Sequence, residues 1–434
     1  MRGPRRPVLV TVLAAMAMAA CDIGGTAQHS PSPKALHPTA SPATTPTPTN
    51  TFPLAVYDGP TLDGNGHVVY VVGIGDYGKP TCTDCSFTAS EIAKVLVAKP
   101  AAARTMSPGV TAIDLPYVST SKTRVYFLDG DSTVRAIAPD GTVAKVTSIP
   151  GTPTVHAAFS VSPDEDRIAV ALIDYSSQPI KETAYVANLD GSARVDLFTS
   201  TTAYYWPVGW HAGKVILAIG PAVRGGSVPS NQYSATGYAL VDAQAGAQPA
   251  RVGPGECVPT GSLTPAGTAC ISNPGTPCLR DVAGTVGGAT LYHTCLKRLD
   301  WAGNETTFVL PKSAATDILA TKHAALSIDG RRIITDDMFL ADEPGPSGIG
   351  TAGMWLAPFQ IYPEQPGIGW IDATHVSLMF TYNADGTSFQ RIYAIGEGQY
   401  GFSNVMFDGY SGGFGFVPRS PVVGPLMGTL PGGL

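Results

Sequence analysis

Residues 156–198 read HAAFSVSPDEDRIAVALIDYSSQPIKETAYVANLDGSARVDLF. Ala157–Val161 is a short apolar run that halts at Ser162-Pro163-Asp164, where proline fixes φ and Asp caps its own turn, a hairpin signal. Arg167–Ile173 is rich in β-branched residues and bounded by charge, as in a buried strand. Thr183–Asn188 alternates, and Asp190-Gly191 then turns the chain back into Ala193–Phe198. The stretch therefore predicts four antiparallel strands. One such sheet has two apolar faces and must stack on its like.

The pattern "SPDEDRIAVAL…AYVANLDGS" resembles the repeat of TolB-type (WD40-like) β-propellers, with a Ser-Pro-Asp turn before strand two and an Asp-Gly turn before strand four. The resemblance covers about one blade well and a few others in part. It implies a blade and no particular activity.

Looser copies extend the reading. Pro-Gly pairs end at Gly109, Gly151, Gly255 and Gly367, at spacings of 42, 104 and 112 residues, close to one, two and two blades. Val208-Gly209-Trp210…Val215-Ile216-Leu217 matches Ile368-Gly369-Trp370…Val376-Ser377-Leu378 at a spacing of 160. The expected fold is all-β: a single β-propeller of about seven four-stranded blades over 54–410, with six or eight as alternatives, and a Gly/Pro-rich tail over 411–434, part of which could supply a ring-closing strand. Thr88 and Glu91 are spaced as a helix capping box, but the repeat makes Ile92–Val97 a strand.

Upstream, residues 1–20 carry Arg2, Arg5 and Arg6, then an apolar run from Val8 to Ala20 too short to span a bilayer comfortably. Met18-Ala19-Ala20-Cys21 resembles a bacterial lipoprotein signal, which implies lipidation of Cys21; an ordinary signal peptide cut near Ala20 is the alternative. Residues 21–53, dominated by Ser, Pro, Thr and Ala, read as a disordered tether. This order places the folded part outside the cytoplasm, held to the cell membrane by lipid. Cleavage would leave 24 basic against 33 acidic residues, a net charge of −9, which argues against nucleic acid as a partner.

Beyond Cys21 six cysteines remain: Cys82, Cys85, Cys257, Cys270, Cys278 and Cys295. An even number in an exported chain favours disulfides. Cys82-Thr83-Asp84-Cys85 lacks the second ligand pair that zinc requires and reads as a local disulfide. A turn at Thr264–Gly267 would put Cys270 opposite Gly261, leaving about four residues, or roughly 13 Å, between it and Cys257. The expected pairs are Cys257–Cys278 and Cys270–Cys295, with Cys257–Cys270 plus Cys278–Cys295 as the alternative.

Motifs of catalysis are weak. Gly409-Tyr410-Ser411-Gly412-Gly413 spells a G-x-S-x-G elbow, yet no Asp, Glu or His follows it. His156 and His323 fall where strand one would line a channel; isolated, hydrogen-bonded histidines are the bland reading. The acidic runs 164–166, 336–337 and 342–343 lack a calcium-loop spacing and read as solvated turns. Trp206, Trp210, Trp301, Trp355 and Trp370 could stack on sugars, but the repeated Gly-Trp element favours packing between blades. No cofactor is expected. The expected role is a non-catalytic binding or scaffold module for a protein, peptide or glycan partner; the alternative is a propeller-type enzyme acting on a small molecule at the channel.

Overall fold

The computed structural model describes residues 51–62, 65, 67–78, 95–102, 104–105, 117–220, 235–255, 257–272, 282–286, 289–292, 296–308, 324–335, 339–342, 354–355, 369–370, 375–381, 388–395, 400–405, 422–425 and 432–433. The stretch that organises the sequence forms one sheet: Val155–Val161, Arg167–Asp174, Lys181–Asn188 and Val195–Ser200, each antiparallel to the next. Its side chains alternate between two faces. Phe159, Ile168, Val170 and Tyr185 join an apolar cluster with the preceding sheet. Ala169, Ala184 and Val186 pack instead with Trp210, Val215 and Leu217 of the following one. Both faces are therefore covered, so the inner strands are buried almost throughout while the outermost strand is half exposed.

Numbered along the chain, the first group is β1 (Thr51–Leu62), β2 (His67–Gly78), β3 (Val95–Ala98) and β4 (Arg104–Thr105). The next is β5 (Val118–Thr120), β6 (Val125–Asp129), β7 (Thr133–Ile137) and β8 (Val143–Ser148). The organising sheet is β9–β12 in the order given above. After it come β13 (Tyr204–His211), β14 (Lys214–Gly220), β15 (Gly237–Asp242) and β16 (Ala250–Arg251). β17 (Cys257–Thr264) and β18 (Gly267–Ser272) are followed by a separate hairpin, β19 (Val282–Val286) and β20 (Ala289–Tyr292). The sheet then resumes with β21 (Leu296–Leu299) and β22 (Glu305–Phe308). Two more sheets are β23 (Ala324–Leu326), β24 (Arg332–Thr335), β25 (Phe339–Asp342), β26 (Met354–Trp355), and β27 (Gly369–Trp370), β28 (His375–Thr381), β29 (Ser388–Ile395), β30 (Tyr400–Val405). Last are β31 (Val422–Pro425) and β32 (Gly432–Gly433).

Innermost strands of successive sheets pack side by side: β5 on β9, β9 on β13, β17 on β23 and β23 on β27. β31 returns to lie against β27 and pairs antiparallel with β1, Tyr57 opposite Val422. Sheets stacked face to face in chain order, with β31 completing the first sheet, make this a β-propeller. β1 begins at Thr51, inside the stretch read as tether. β31, in the stretch read as tail, supplies the ring-closing strand which that reading allowed for, and β32 lies in the same stretch.

Local chemistry repeats with the sheets. Ser162 Oγ accepts from Arg167 N at 3.0 Å and donates to Asp164 Oδ1 at 2.5 Å, fastening the β9–β10 turn. Ser327 does the same toward Arg332 N (2.9 Å) and Asp329 Oδ1 (2.6 Å) between β23 and β24. The residue that must take positive φ is Gly330 in one copy and Glu165 in the other. The strand three-to-four turn recurs at 138–142, 188–192 and 300–304, where the first N–H reaches the fifth carbonyl each time. Gly151 has a different reason. A Cβ there would stand 1.9 Å from the Asp131 carbonyl oxygen, so the chain passes from β8 to β9 only without a side chain. Gly255 meets nothing so close, and the Pro-Gly marker thus has no single structural cause.

Strand β3 confirms a strand rather than a helix over residues 95–98. The expected disulfide pairing of Cys257 with Cys278 and of Cys270 with Cys295 is overturned: Cys257 is bonded to Cys270, with Cα atoms 5.4 Å apart. The turn is where it was expected, Thr264 opposite Gly267. What the spacing hid is a bulge. Thr260, Gly261 and Ser262 together face only Ala269, which moves Cys270 from opposite Gly261 to opposite Pro259. Cys257 is then a diagonal neighbour within reach. Strand three is also shorter than expected, and its residue opposite Cys270 is Lys297. Cys21, Cys82, Cys85, Cys278 and Cys295 lie outside the described residues.

Candidate functional site

The inner strands β5, β9, β13, β17, β23, β27 and β31 surround the ring's axis. They are built mostly of Val, Ala, Ser, Thr, Gly and aromatic residues. Besides Tyr204 and Tyr205 on β13 and the bonded Cys257, their ionisable side chains among the described residues are His156 on β9 and His211 on β13. His156 is fully buried with its ring 4.7 Å from that of Tyr175. His211 lies 6.0 Å from the Trp301 ring, and burial pushes its imidazole below the ordinary value. Among the described residues no group of three or more His, Cys, Asp or Glu could hold a metal ion. His323, the 336–337 acidic pair and the G-x-S-x-G string at 409–413 lie outside them.

One segment of the chain enters the space between inner strands. β32 pairs parallel with β13, Gly432 opposite Gly209 and Gly433 opposite Trp210, and parallel with β5, Gly432 opposite Thr120. It also packs against β9. The sheets of β5–β8 and β13–β16 thereby become one nine-stranded sheet across the channel.

The turn after β9 links neighbouring sheets. Glu165 accepts from Ser121 Oγ at 2.6 Å, from Thr123 Oγ1, and pairs with Arg124 Nη1 at 3.0 Å, all in the β5–β6 turn. Burial pushes its carboxyl up, but these partners outweigh burial and hold it below the ordinary value. The 164–166 run was expected to be a solvated turn. Asp164 and Asp166 are exposed as expected, whereas Glu165 joins two sheets.

Four tryptophans follow the packing expectation, and the Trp355 side chain lies outside what the structure describes. Trp206, Trp210, Trp301 and Trp370 are buried, and no open face for a sugar exists on them. Trp210 Nε1 donates to the Ser160 carbonyl, Trp370 Nε1 to that of Ala325, and Trp301 Nε1 to that of Thr264.

Two buried charges escaped the sequence reading. Arg104 is 3% exposed, 3.5 Å from Asp131 Oδ1 and 5.2 Å from the centre of the Tyr117 ring. Glu182 on β11 is fully buried between the β9–β12 and β13–β16 sheets, one oxygen accepting from Tyr205 N at 2.8 Å and the other unpartnered. Burial pushes its carboxyl well above the ordinary value, only partly offset by the Tyr205 bond. The signal in the sequence was slight: one Glu in Lys181–Asn188, at a place where Ser or Thr would fit the pattern.

No family model matches the chain, and no curated protein matches it in sequence. Solved structures to which it is similar include oligogalacturonate lyase from Vibrio parahaemolyticus, at 7% identity and a TM-score of 0.39, over 82% of this chain and 91% of that one. The β-propeller domain of the Trilobed protease from Pyrococcus furiosus is similar at 11% and 0.33, over 80% and 84%. Acylaminoacyl peptidase from Pyrococcus horikoshii is similar at 10% and 0.39, over 80% of this chain and 52% of that one. The chain spans about half of that peptidase. The fold rests on the strand order above, and no chemistry is carried over from these proteins.

Proposed function

We propose that the chain is a non-catalytic, lipid-anchored binding module of the cell envelope, a TolB-like propeller of about seven blades. Its channel mouth and loops hold a protein, peptide or glycan partner, and Cys21 and the 21–53 tether hold it to the membrane from outside the cytoplasm. The observation that carries this reading is the make-up of the inner strands. Their described histidines, His156 and His211, each pack against an aromatic ring. General acid–base or nucleophilic chemistry needs such groups within hydrogen-bond reach of each other and of a substrate.

The test uses the full chain in its own cells, with an affinity tag inserted in the tether, crosslinked and recovered from the membrane fraction. The expected result is a saturable partner recovered in fixed ratio to the chain. Recovery of the chain alone, together with turnover of a small molecule by the purified protein, would overturn the reading.

A further inference from the structure

We propose that the channel between β5 and β13 is a strand-addition site for an extended, glycine-containing peptide, and that the chain's own Gly432–Gly433 occupies it in cis. The inner strand of each sheet has one edge with no neighbour in its own sheet, a row of N–H and C=O groups open to pairing. β5 and β13 face the channel with such edges, and β32 is paired with both. It is parallel to both, which is the arrangement inner strands of one direction allow.

Glycine suits this place. β32 lies between two strands and in front of a third, β9, so a strand inserted there meets backbone on several sides. Glycine within a strand marks such close approach, and here Gly432 meets another glycine, Gly209, at the β13 bulge.

The inference rests on the binding-module reading and narrows it: the partner is a peptide, taken through backbone pairing. A tail tethered to the same ring competes at high effective concentration, so the full chain should bind such a peptide weakly. A tail seated nine-tenths of the time lowers apparent affinity about tenfold.

The probe is a labelled synthetic peptide of residues 426–434, LMGTLPGGL. Three full-ring proteins are compared: the wild type, a chain ending at Pro425, which keeps β31, and the full-length Gly432→Trp variant, whose side chain ejects the tail. The two variants are expected to bind the peptide roughly tenfold or more tightly than the wild type. A peptide with both glycines replaced by valine should bind none of them. Equal binding to all three, or none to a folded variant, overturns the proposal. Hydrogen exchange on the wild type decides independently of variant folding. Gly432 and Gly433 amides should be protected, and exchange at the free-chain rate overturns the cis seat. If an envelope partner is captured but the peptide never displaces it, the binding-module reading stands and the channel inference falls.

Discussion

Trp210 Nε1 donates to the carbonyl oxygen of Ser160 at 3.2 Å, tying the first strand of one sheet to the first strand of the sheet before it. The Arg167 guanidinium lies over the same ring at 4.8 Å. Trp370 repeats the bond on Ala325 at 3.0 Å. Ser160 and Ala325 each stand two residues before the serine of the Ser-x-Asp turn. The Gly-Trp element and that turn are thus two halves of one joint between adjacent sheets.

Trp210→Phe keeps a ring at the joint but leaves the buried Ser160 carbonyl without its donor. The expected loss is about 1–3 kcal/mol, read as a lower urea midpoint with an unchanged slope. Trp370→Phe should behave alike, and an unaffected midpoint in both would show that the bond does not contribute.

Gly151→Ala tests the close passage of the chain under Asp131. The added methyl meets a backbone oxygen that no rotamer change can move, so a loss of about 1–3 kcal/mol is expected. The same change at Gly213, where a Cβ would meet nothing but φ is +80°, should cost less and only through backbone strain.

Glu182 gives stability a pH dependence. Its carboxyl holds the proton more tightly in the folded chain than in the unfolded one, where it titrates near the ordinary value of 4.5. The stability it contributes is complete below that value and is lost as pH rises toward the folded one. Glu182→Gln, fixed in the neutral form, should therefore match the wild type at pH 4 and exceed it increasingly at pH 6 and 8. The slope removed is at most about 1.4 kcal/mol per pH unit. A constant difference across that range, in urea midpoints, would rule the titration out.

Non-reducing peptide mapping should recover a linked peptide containing Cys257 and Cys270. Replacing both by serine opens a loop of 13 residues, with an expected loss of about 3 kcal/mol. Recovery of Cys257 joined to Cys278 would show that the β17 bulge is misplaced.

Lipidation is checked at Cys21. Cys21→Ala should abolish fatty-acid labelling and release the protein from the membrane fraction, and retention in that fraction without label would sink the anchor.

What was legible was local. Ser162-Pro163-Asp164, Asp190-Gly191 and the two Gly-Trp elements each specify a turn or a joint within a few residues, and each stands in the structure where it was read. The bulge at 260–262 was not legible, because Gly261-Ser262 is as compatible with an even ladder as with an uneven one. A slip of two residues there was enough to re-pair the cysteines. Glu165 and Glu182 looked like ordinary polar positions, since their partners, Ser121, Arg124 and Tyr205, belong to other sheets. The short valine run at 422–423 lies in a Gly-rich stretch, and its place beside β1 depends on the whole intervening ring.

Pairing of Tyr57 with Val422 also sets an order of events. β1 leaves the ribosome long before its partner. Until Val422–Pro425 arrives, β1 presents an unpaired edge, and contacts so distant in sequence form slowly. The propeller cannot close until that segment is made. A ribosome stalled before codon 422 would release a chain with that edge permanently open to strangers.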